Sequence, residues 1–229
     1  MKILRAYGIP NEIVVLIEKL YTNTKAQVLT PEGLTELFDI MAGVLQGDTL
    51  APYLFIIVVD YCMKLAMEKH PDIGFTLKPA RSKRHKAIKL SDIEFADDIA
   101  LLANCTTDAQ TLLHTVEEIA ASVGLRMNES KTKFMTEGNI VGDIVSLTGK
   151  NIEKVDDFVY LGSKIRASES DIDTRKAKAW AACHKLKQVW KSDLRKAIKV
   201  RLFTALIESV LLYGSETWTM TKRLAKVLA

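Results

Sequence analysis

The sequence predicts an α+β chain, and three observations carry the prediction. Apolar residues recur with helical spacing near the start (Ile13, Leu16, Ile17, Leu20) and in the middle (Leu112, Leu113, Val116, Ile119, Ala120, Val123). Between and after these stretches, short β-branched and aromatic runs are broken by turn residues. Beyond Gly162 the texture changes, and the remaining residues are helix-forming throughout. A boundary near Arg166 therefore divides an α+β portion, residues 1–166, from a helical portion, residues 167–229.

Taken in order, Pro10-Asn11 opens a short amphipathic helix with Asn11 as the candidate cap. Residues 27–40 hold apolar and β-branched positions on both sides of Pro31-Glu32-Gly33, a turn tripeptide, and read as a hairpin. Residues 49–69 are apolar on nearly every face between Leu54 and Val59 and predict a buried helix, with Pro52 in the first turn, where its missing N–H costs little. Ile88–Leu90 and Ile99–Leu102 suit short strands flanking a turn. The next helix is closed by Gly124, and strand signals return at Lys133-Phe134-Met135 and Phe158-Val159-Tyr160. Ser168-Glu169-Ser170-Asp171 supplies a cap and first-turn acids. Two amphipathic helices with basic outer faces are then expected, one with the stripe Trp180, Cys183, Leu186, Val189 and Trp190, the other with Ile198, Leu202, Ala205, Leu206, Val210 and Tyr213, ending at Gly214. Leu224, Val227 and Leu228 suggest a last short helix.

At 229 residues, with 48% hydrophobic and 26% charged positions, the composition excludes disordered, collagen-like and disulfide-scaffold classes. No apolar run approaches the length of a membrane span, and the first residues carry no secretory pattern. Cys62, Cys105 and Cys183 are widely spaced and odd in number, which argues for a reducing compartment, no disulfide partner and no zinc. An intracellular location, cytoplasmic or nuclear and not secreted, is the resulting expectation. The net charge of +4 conceals an uneven distribution. Residues 91–129 hold eight acids against one base, whereas residues 175–201 hold ten bases against one acid. A second basic cluster, Lys78, Arg81, Lys83, Arg84, Lys86 and Lys89, directly precedes the acidic stretch. Such runs can be solvated faces; their asymmetry also suits a polyanionic partner.

The sharpest chemical feature is Phe95-Ala96-Asp97-Asp98, adjacent carboxylates between apolar segments. Buried there, they need a cation, a base or solvent. A divalent ion is one solution, with one principal ligand if the two alternate on a strand; a plain turn, which aspartate favours, is the other. Gly43 to Thr49 is a Gly-flanked loop in which Gln46 could contact a base or sugar and Gly47 permits close backbone approach, or it is a simple helix entry capped by Asp48 or Thr49. Lys131, between a helix and a strand, is either a phosphate contact or solvated surface.

Read together and in order, these blocks resemble the reverse transcriptases of non-LTR (LINE-like) retrotransposons. The resemblance runs through Gly43–Pro52, Phe95-Ala96-Asp97-Asp98, Gly124-Leu125 with Asn128 and Lys131-Thr132, Tyr160-Leu161-Gly162-Ser163 and Leu211–Trp218, and so covers essentially the whole chain. It implies a right-hand polymerase: a partial palm of antiparallel strands backed by helices over residues 1–166, and a helical thumb-like region over 167–229. It also implies two-metal nucleotidyl transfer with Mg²⁺ or Mn²⁺, using an RNA template, a DNA primer and dNTP, with no membrane partner. Asp97 matches the first metal-binding carboxylate of the catalytic hairpin, and Asp98 its less engaged neighbour. Gln46, Gly47 and Phe95 match positions beside nucleotide and template, and Lys131 matches a lysine considered for protonating pyrophosphate. Arg175, Lys178, Lys185, Lys187 and Arg195 are the expected contacts to the nucleic-acid backbone.

The family carries a further metal-binding aspartate on a strand preceding the helix at Asn11, and fingers upstream of it. None of Glu12, Glu18, Glu32, Glu36, Asp39 and Asp48 occupies a matching block. The expectation is a fragment inactive by itself; the alternative is a non-catalytic nucleic-acid-binding or interaction remnant.

Overall fold

The computed structural model describes residues 1–41, 43–45, 47–82, 87–138, 140–165 and 168–228. The architecture is α+β, and the chain divides into two compact units, residues 1–153 and 154–229.

The first unit opens with helices α1 (Lys2–Ala6) and α2 (Asn11–Tyr21). Pro10, not Asn11, is the N-cap of α2, and its φ of −52° is that of a proline ring entering a helix. Asn11 lies inside the helix, its Oδ1 accepting a 3.1 Å bond from Arg5 Nε. The buried face of α2 is Val14 and Ile17, which pack with Leu4, while Ile13, Leu16 and Leu20 stay about half exposed. The expected stripe is thus rotated, because α1 folds back onto only one edge of it. Strands β1 (Lys25–Ala26), β2 (Leu29–Thr30), β3 (Gly33–Leu34) and β4 (Phe38–Asp39) then form the expected antiparallel hairpin, with β2 paired to β3 around Pro31-Glu32 and β1 to β4 outside them.

Helix α3 (Ala51–Lys69) carries Pro52 in its first turn, as its sequence predicts. It buries one face, Ala51, Val59, Cys62, Met63 and Ala66, while Tyr53 and Ile56 are exposed. The reading of a helix buried on all sides is therefore corrected: α4 (Thr106–Ser122) covers one side, meeting Cys62 and Ala66 through Ile119, and His70 beyond the end of α3 bonds Thr115 at 2.8 Å.

Between these helices lie β5 (Phe75–Lys78), β6 (Ile88–Leu90), β7 (Asp92–Phe95) and β8 (Asp98–Leu101). Here pairing differs from expectation. Ile88–Leu90 pairs back onto Phe75–Lys78, and the partner of Asp98–Leu101 is Asp92–Phe95. Ser91 alone separates β6 from β7, and Leu102 N–H bonds its carbonyl at 2.7 Å, so one extended run serves two hairpins. Helix α4 is capped by Cys105, whose Sγ accepts from Asp108 N–H at 3.5 Å. It ends in a Schellman motif: Gly124 N–H reaches Ala121 O (3.1 Å) and Leu125 N–H reaches Ala120 O (2.9 Å), with Gly124 at φ +85°. Gln110 on α4 bonds both the N–H and the C=O of Val145, at 2.7 and 2.6 Å, tying the loop that holds Val145 over Leu113, Ile144 and Ile152. Strand β9 (Lys133–Phe134) belongs to this layer.

Strand β10 (Glu153–Lys154) lies at the division between the units. The second unit continues with the hairpin β11 (Val159–Tyr160) and β12 (Ser163–Lys164), then helices α5 (Ser168–Lys185), α6 (Lys187–Lys191), α7 (Lys196–Phe203), a π-helical turn at Thr204–Glu208, α8 (Ser209–Leu211) and α9 (Lys222–Leu228). The expected stripe through Trp180 is corrected: Trp180 is exposed, and the buried face of α5 is Asp171, Ile172, Arg175 and Ala179. The second expected stripe is broken by the π turn, which shifts the helical phase so that Ile207 is its buried residue. Ile172, Trp218 and Leu224 form the core of this unit.

Leu112, on α4 in the first unit, is fully buried. Leu112→Ala is expected to cost about 3 kcal/mol, the ordinary penalty for an unfilled core cavity, read as a fall in the urea midpoint at unchanged m-value.

Candidate active site

The β7–β8 hairpin is the element on which the acidic block sits. Its register pairs Asp92 with Leu101, Ile93 with Ala100, Glu94 with Ile99 and Phe95 with Asp98, leaving Ala96 and Asp97 as a two-residue turn. Closing an antiparallel pair in two residues favours left-handed backbone at the centre, and Ala96 supplies it at φ +56°. Asp97 therefore lies at the tip, and Asp98 opens the second strand beside it. Both are exposed, as is Phe95, whose side chain shares a face with that of Asp98 across the pair. The expectation of carboxylates packed between apolar segments is corrected here: the apolar residues belong to the stem, and the turn carries the acids into water.

The other face of the stem holds a charge cluster that the sequence did not reveal. Asp92 and Glu94 alternate onto one side of β7 and meet Asp60 from α3. Asp60 accepts from Lys64 Nζ at 2.7 Å and from the Tyr7 hydroxyl, and Lys64 lies 4.9 Å above the Tyr7 ring. These donors hold Asp60 below the usual carboxylate range. Partial burial, its bond with Asp92 and the negative charges of Asp92 and Asp60 push Glu94 up to about 7, with Lys64 opposing. The signal was spacing across elements, i and i+4 on α3 facing i and i+2 on β7, which no local pattern reports.

Of the other sequence-derived residues, Gly47 is at φ +88°, a conformation glycine alone adopts freely, and Gln46 lies outside the described residues. Asp48 does organise the entry to α3: Oδ1 accepts from Leu50 N–H at 3.1 Å and Oδ2 from the Tyr21 hydroxyl, bonds that hold its carboxyl low. Lys131 is exposed in a turn closed by its N–H on Asn128 O at 3.0 Å. Of the basic cluster before the hairpin, Lys78, Arg81 and Lys89 are exposed and Lys83, Arg84 and Lys86 lie outside the described residues.

In the second unit Lys178, Lys185, Lys187 and Arg195 are exposed. Arg175 is not, at 6% exposure, and its expected place on the basic outer face is corrected. Its guanidinium bonds the Gly162 carbonyl and lies 4.3 Å over the Tyr213 ring. Lys199 is likewise committed inward, bonding the carbonyls of Trp190 (2.8 Å) and Ser192 (2.6 Å) at the end of α6.

Adjacent carboxylates are hard oxygen donors suited to Mg²⁺ or Mn²⁺. Among the described residues, however, no group of three or more His, Cys, Asp or Glu side chains is placed to hold an ion. Asp97 and Asp98 are two such donors, and the described residues place no third carboxylate, His or Cys with them.

Comparison with known proteins identifies a family. Residues 1–165 match the family described as reverse transcriptase (RNA-dependent DNA polymerase). A transposon-derived protein of Caenorhabditis elegans is 34% identical over 146 residues, covering 60% of this chain and 52% of that protein. A retrovirus-related Pol polyprotein from the type-1 retrotransposable element R2 of Popillia japonica is 26% identical over 172 residues (71% of this chain, 27% of the polyprotein). The corresponding polyprotein of element R2DM from Drosophila melanogaster is 30% identical over 129 residues (56% and 11%). The matched regions thus span about half or less of these relatives.

The Glu94 cluster makes stability depend on pH. Between the ordinary carboxyl value of 4.5 and about 7, the folded chain retains a proton that the unfolded chain has released, so stability falls as pH rises through that window. Glu94→Gln is expected to melt close to wild type at pH 4 and above it at pH 8, and thermal unfolding across that range checks it.

Proposed function

Since the chain belongs to the reverse transcriptase family, of the kind carried by non-LTR retrotransposons, we propose that it is the palm-and-thumb portion of an RNA-directed DNA polymerase. The palm is assigned to residues 1–166 and the thumb to 167–229. The observation that carries this reading is the position of Asp97 and Asp98 at the tip of a tight antiparallel hairpin inside the matched region.

In this reading Asp97 binds a catalytic Mg²⁺ or Mn²⁺, with Asp98 beside it. Such an ion would supply charge stabilisation and activation of the primer 3′-hydroxyl. Phe95, on the face of Asp98, lies against the incoming nucleotide, with Gln46 and Gly47 lining template and nucleotide. Lys131 donates a proton to the leaving pyrophosphate. Lys178, Lys185, Lys187 and Arg195 contact phosphates of a primer–template duplex. An RNA template, DNA primer and dNTP are the substrates of the intact enzyme, and the protein acts within the cell. No helix among the described residues is long and apolar enough to cross a membrane.

Mg²⁺ demands a nearly ideal octahedron anchored by protein or substrate oxygens, and Asp97 and Asp98 alone anchor too little of it. We therefore expect the 229-residue chain by itself to bind nucleic acid without extending a primer. The same shortage favours the second reading, a non-catalytic nucleic-acid-binding remnant.

Primer extension on an RNA template with Mg²⁺ is expected to give no product; product that Asp97→Asn abolishes would show the site to be complete. Binding of a primer–template duplex is expected to weaken steeply with salt. Replacing Lys178, Lys185 and Lys187 with Gln should reduce the log–log salt slope by about 0.9 per lost phosphate contact, measured by fluorescence anisotropy. Salt-independent binding would remove both readings.

A further inference from the structure

Two blocks of the sequence far apart along the chain meet in the second unit, and the residue that joins them is Arg175. The β11–β12 hairpin turns in two residues, Leu161 at φ +48° and Gly162 at φ +83°, the doubly left-handed turn that two-residue hairpins favour. Leu161 carries a steric cost there that glycine would not. Both carbonyls of the turn are held from outside: Leu161 O accepts from the Tyr213 hydroxyl at 2.9 Å, and Gly162 O accepts from Arg175 Nη2. The guanidinium stacks on the Tyr213 ring, so the two donors brace each other. Fit is close on both sides. A Cβ at Gly162 would lie 3.1 Å from the Tyr213 ring, and one at Gly214 would lie 2.0 Å from Ser163 Oγ.

One helical turn before Arg175, buried Asp171 accepts from Trp218 Nε1 at 2.8 Å and from Lys164 N–H at 3.4 Å. It thereby ties the second strand of the hairpin to the segment after Gly214. Burying a guanidinium is expensive, and Arg175 Nε has no hydrogen-bond partner among the described residues. The fold retains this cost at the back of the hairpin. The hairpin and residues 217–219 border an open cavity of about 340 Å³, lined by the polar residues Ser163, Lys164, Ser168, Thr217 and Thr219 together with Tyr160, Ile165 and Trp218. Ser168 Oγ accepts from Thr219 N–H at 3.0 Å, Thr217 Oγ1 donates to the Gly214 carbonyl at 2.7 Å and Lys164 Nζ donates to Ser170 Oγ at 2.7 Å. The hydroxyls keep lone pairs and the ammonium further N–H groups to offer, and with the Tyr160 and Trp218 rings they are phosphate-, sugar- and base-contacting chemistry.

We propose that Arg175, with Tyr213, is a positioning residue: it clasps the Leu161–Gly162 turn and so presents the hydroxyl-lined cavity beside it to a nucleic-acid backbone. The proposal rests on the polymerase reading for its ligand and on this unit's own geometry for the clasp. It also reassigns Arg175 from phosphate contact to support of the surface that makes the contacts.

The test combines amide hydrogen exchange with primer–template titration over a salt series, on wild type, Arg175→Lys, Arg175→Met and Tyr213→Phe. Lysine keeps the charge but can neither stack nor fork as a guanidinium does, and Tyr213→Phe removes one hydroxyl while keeping the ring. All three are expected to lose about tenfold or more of the protection at residues 160–165 while residues 172–179 of α5 stay protected. Affinity is expected to fall about five- to tenfold with an unchanged salt slope. Hairpin protection unmoved in Tyr213→Phe and restored by Arg175→Lys would overturn the clasp. So would a slope reduced by about one in Arg175→Met alone, since that marks a direct phosphate contact. A wild-type chain that binds no duplex would instead remove the polymerase reading and the nucleic-acid half of the proposal, leaving exchange to decide the clasp.

Discussion

Two antiparallel strands joined by only two residues favour left-handed backbone at the turn, and the chemistry assigned to this chain depends on that preference at two of its tight hairpins, Phe95–Asp98 and Tyr160–Ser163. At Ala96 and at Leu161 the chain places residues that carry a Cβ where glycine would be easier. Each costs about 1–2 kcal/mol, which the pairing of the flanking strands offsets; the Pro31-Glu32 turn closes its own hairpin without that cost. The strain has a positional result. At the first hairpin it delivers adjacent carboxylates beyond the apolar stem into water; at the second it turns two carbonyls outward, where Tyr213 and Arg175 take them.

Around the first hairpin, support comes from charge and packing together. Leu101 joins the layer of Leu113, Ile144 and Ile152 under one side of the stem. Asp92 and Glu94 face the Asp60–Lys64–Tyr7 group. Glu94 is pushed up to about 7 first by its partial burial and then by its bond with Asp92 and the neighbouring charges of Asp92 and Asp60, which the single Lys64 only partly offsets. The acidic stretch seen in the sequence is therefore divided, with Asp97 and Asp98 at the exposed tip and Asp92 and Glu94 held against α3.

Much of this was legible in the sequence where the controlling interactions are local. The Leu29–Leu34 hairpin, Pro52 at the start of α3, Gly124 at the end of α4 and the final helix come from turn chemistry, capping and helical period. The adjacent carboxylates and the glycine loop could be singled out for similar reasons, and their order along the chain carried the family. The features that failed are those that depend on partners distant in sequence. Nothing near Ile88 says that its strand pairs with Phe75 and not with Asp98. Nothing near Arg175 says that Gly162 and Tyr213 close over it; a charged residue reads as outward-facing, although Asp171, Ile172, Arg175 and Ala179 lie on one helical face. The π turn at Thr204–Glu208 defeats a stripe drawn with a constant period. Asn11 loses the cap to a proline whose fixed φ already suits the helix entry.

The central claim is that the Asp97–Asp98 turn lies at the growing end of a primer. A primer–RNA template duplex with a photoreactive 3′-terminal nucleotide, irradiated with the chain and mapped by peptide mass spectrometry, tests it most directly. The account predicts adducts within residues 92–101, competed away by unlabelled duplex. Adducts confined to the basic helices at saturating duplex, with none on that hairpin, would contradict it.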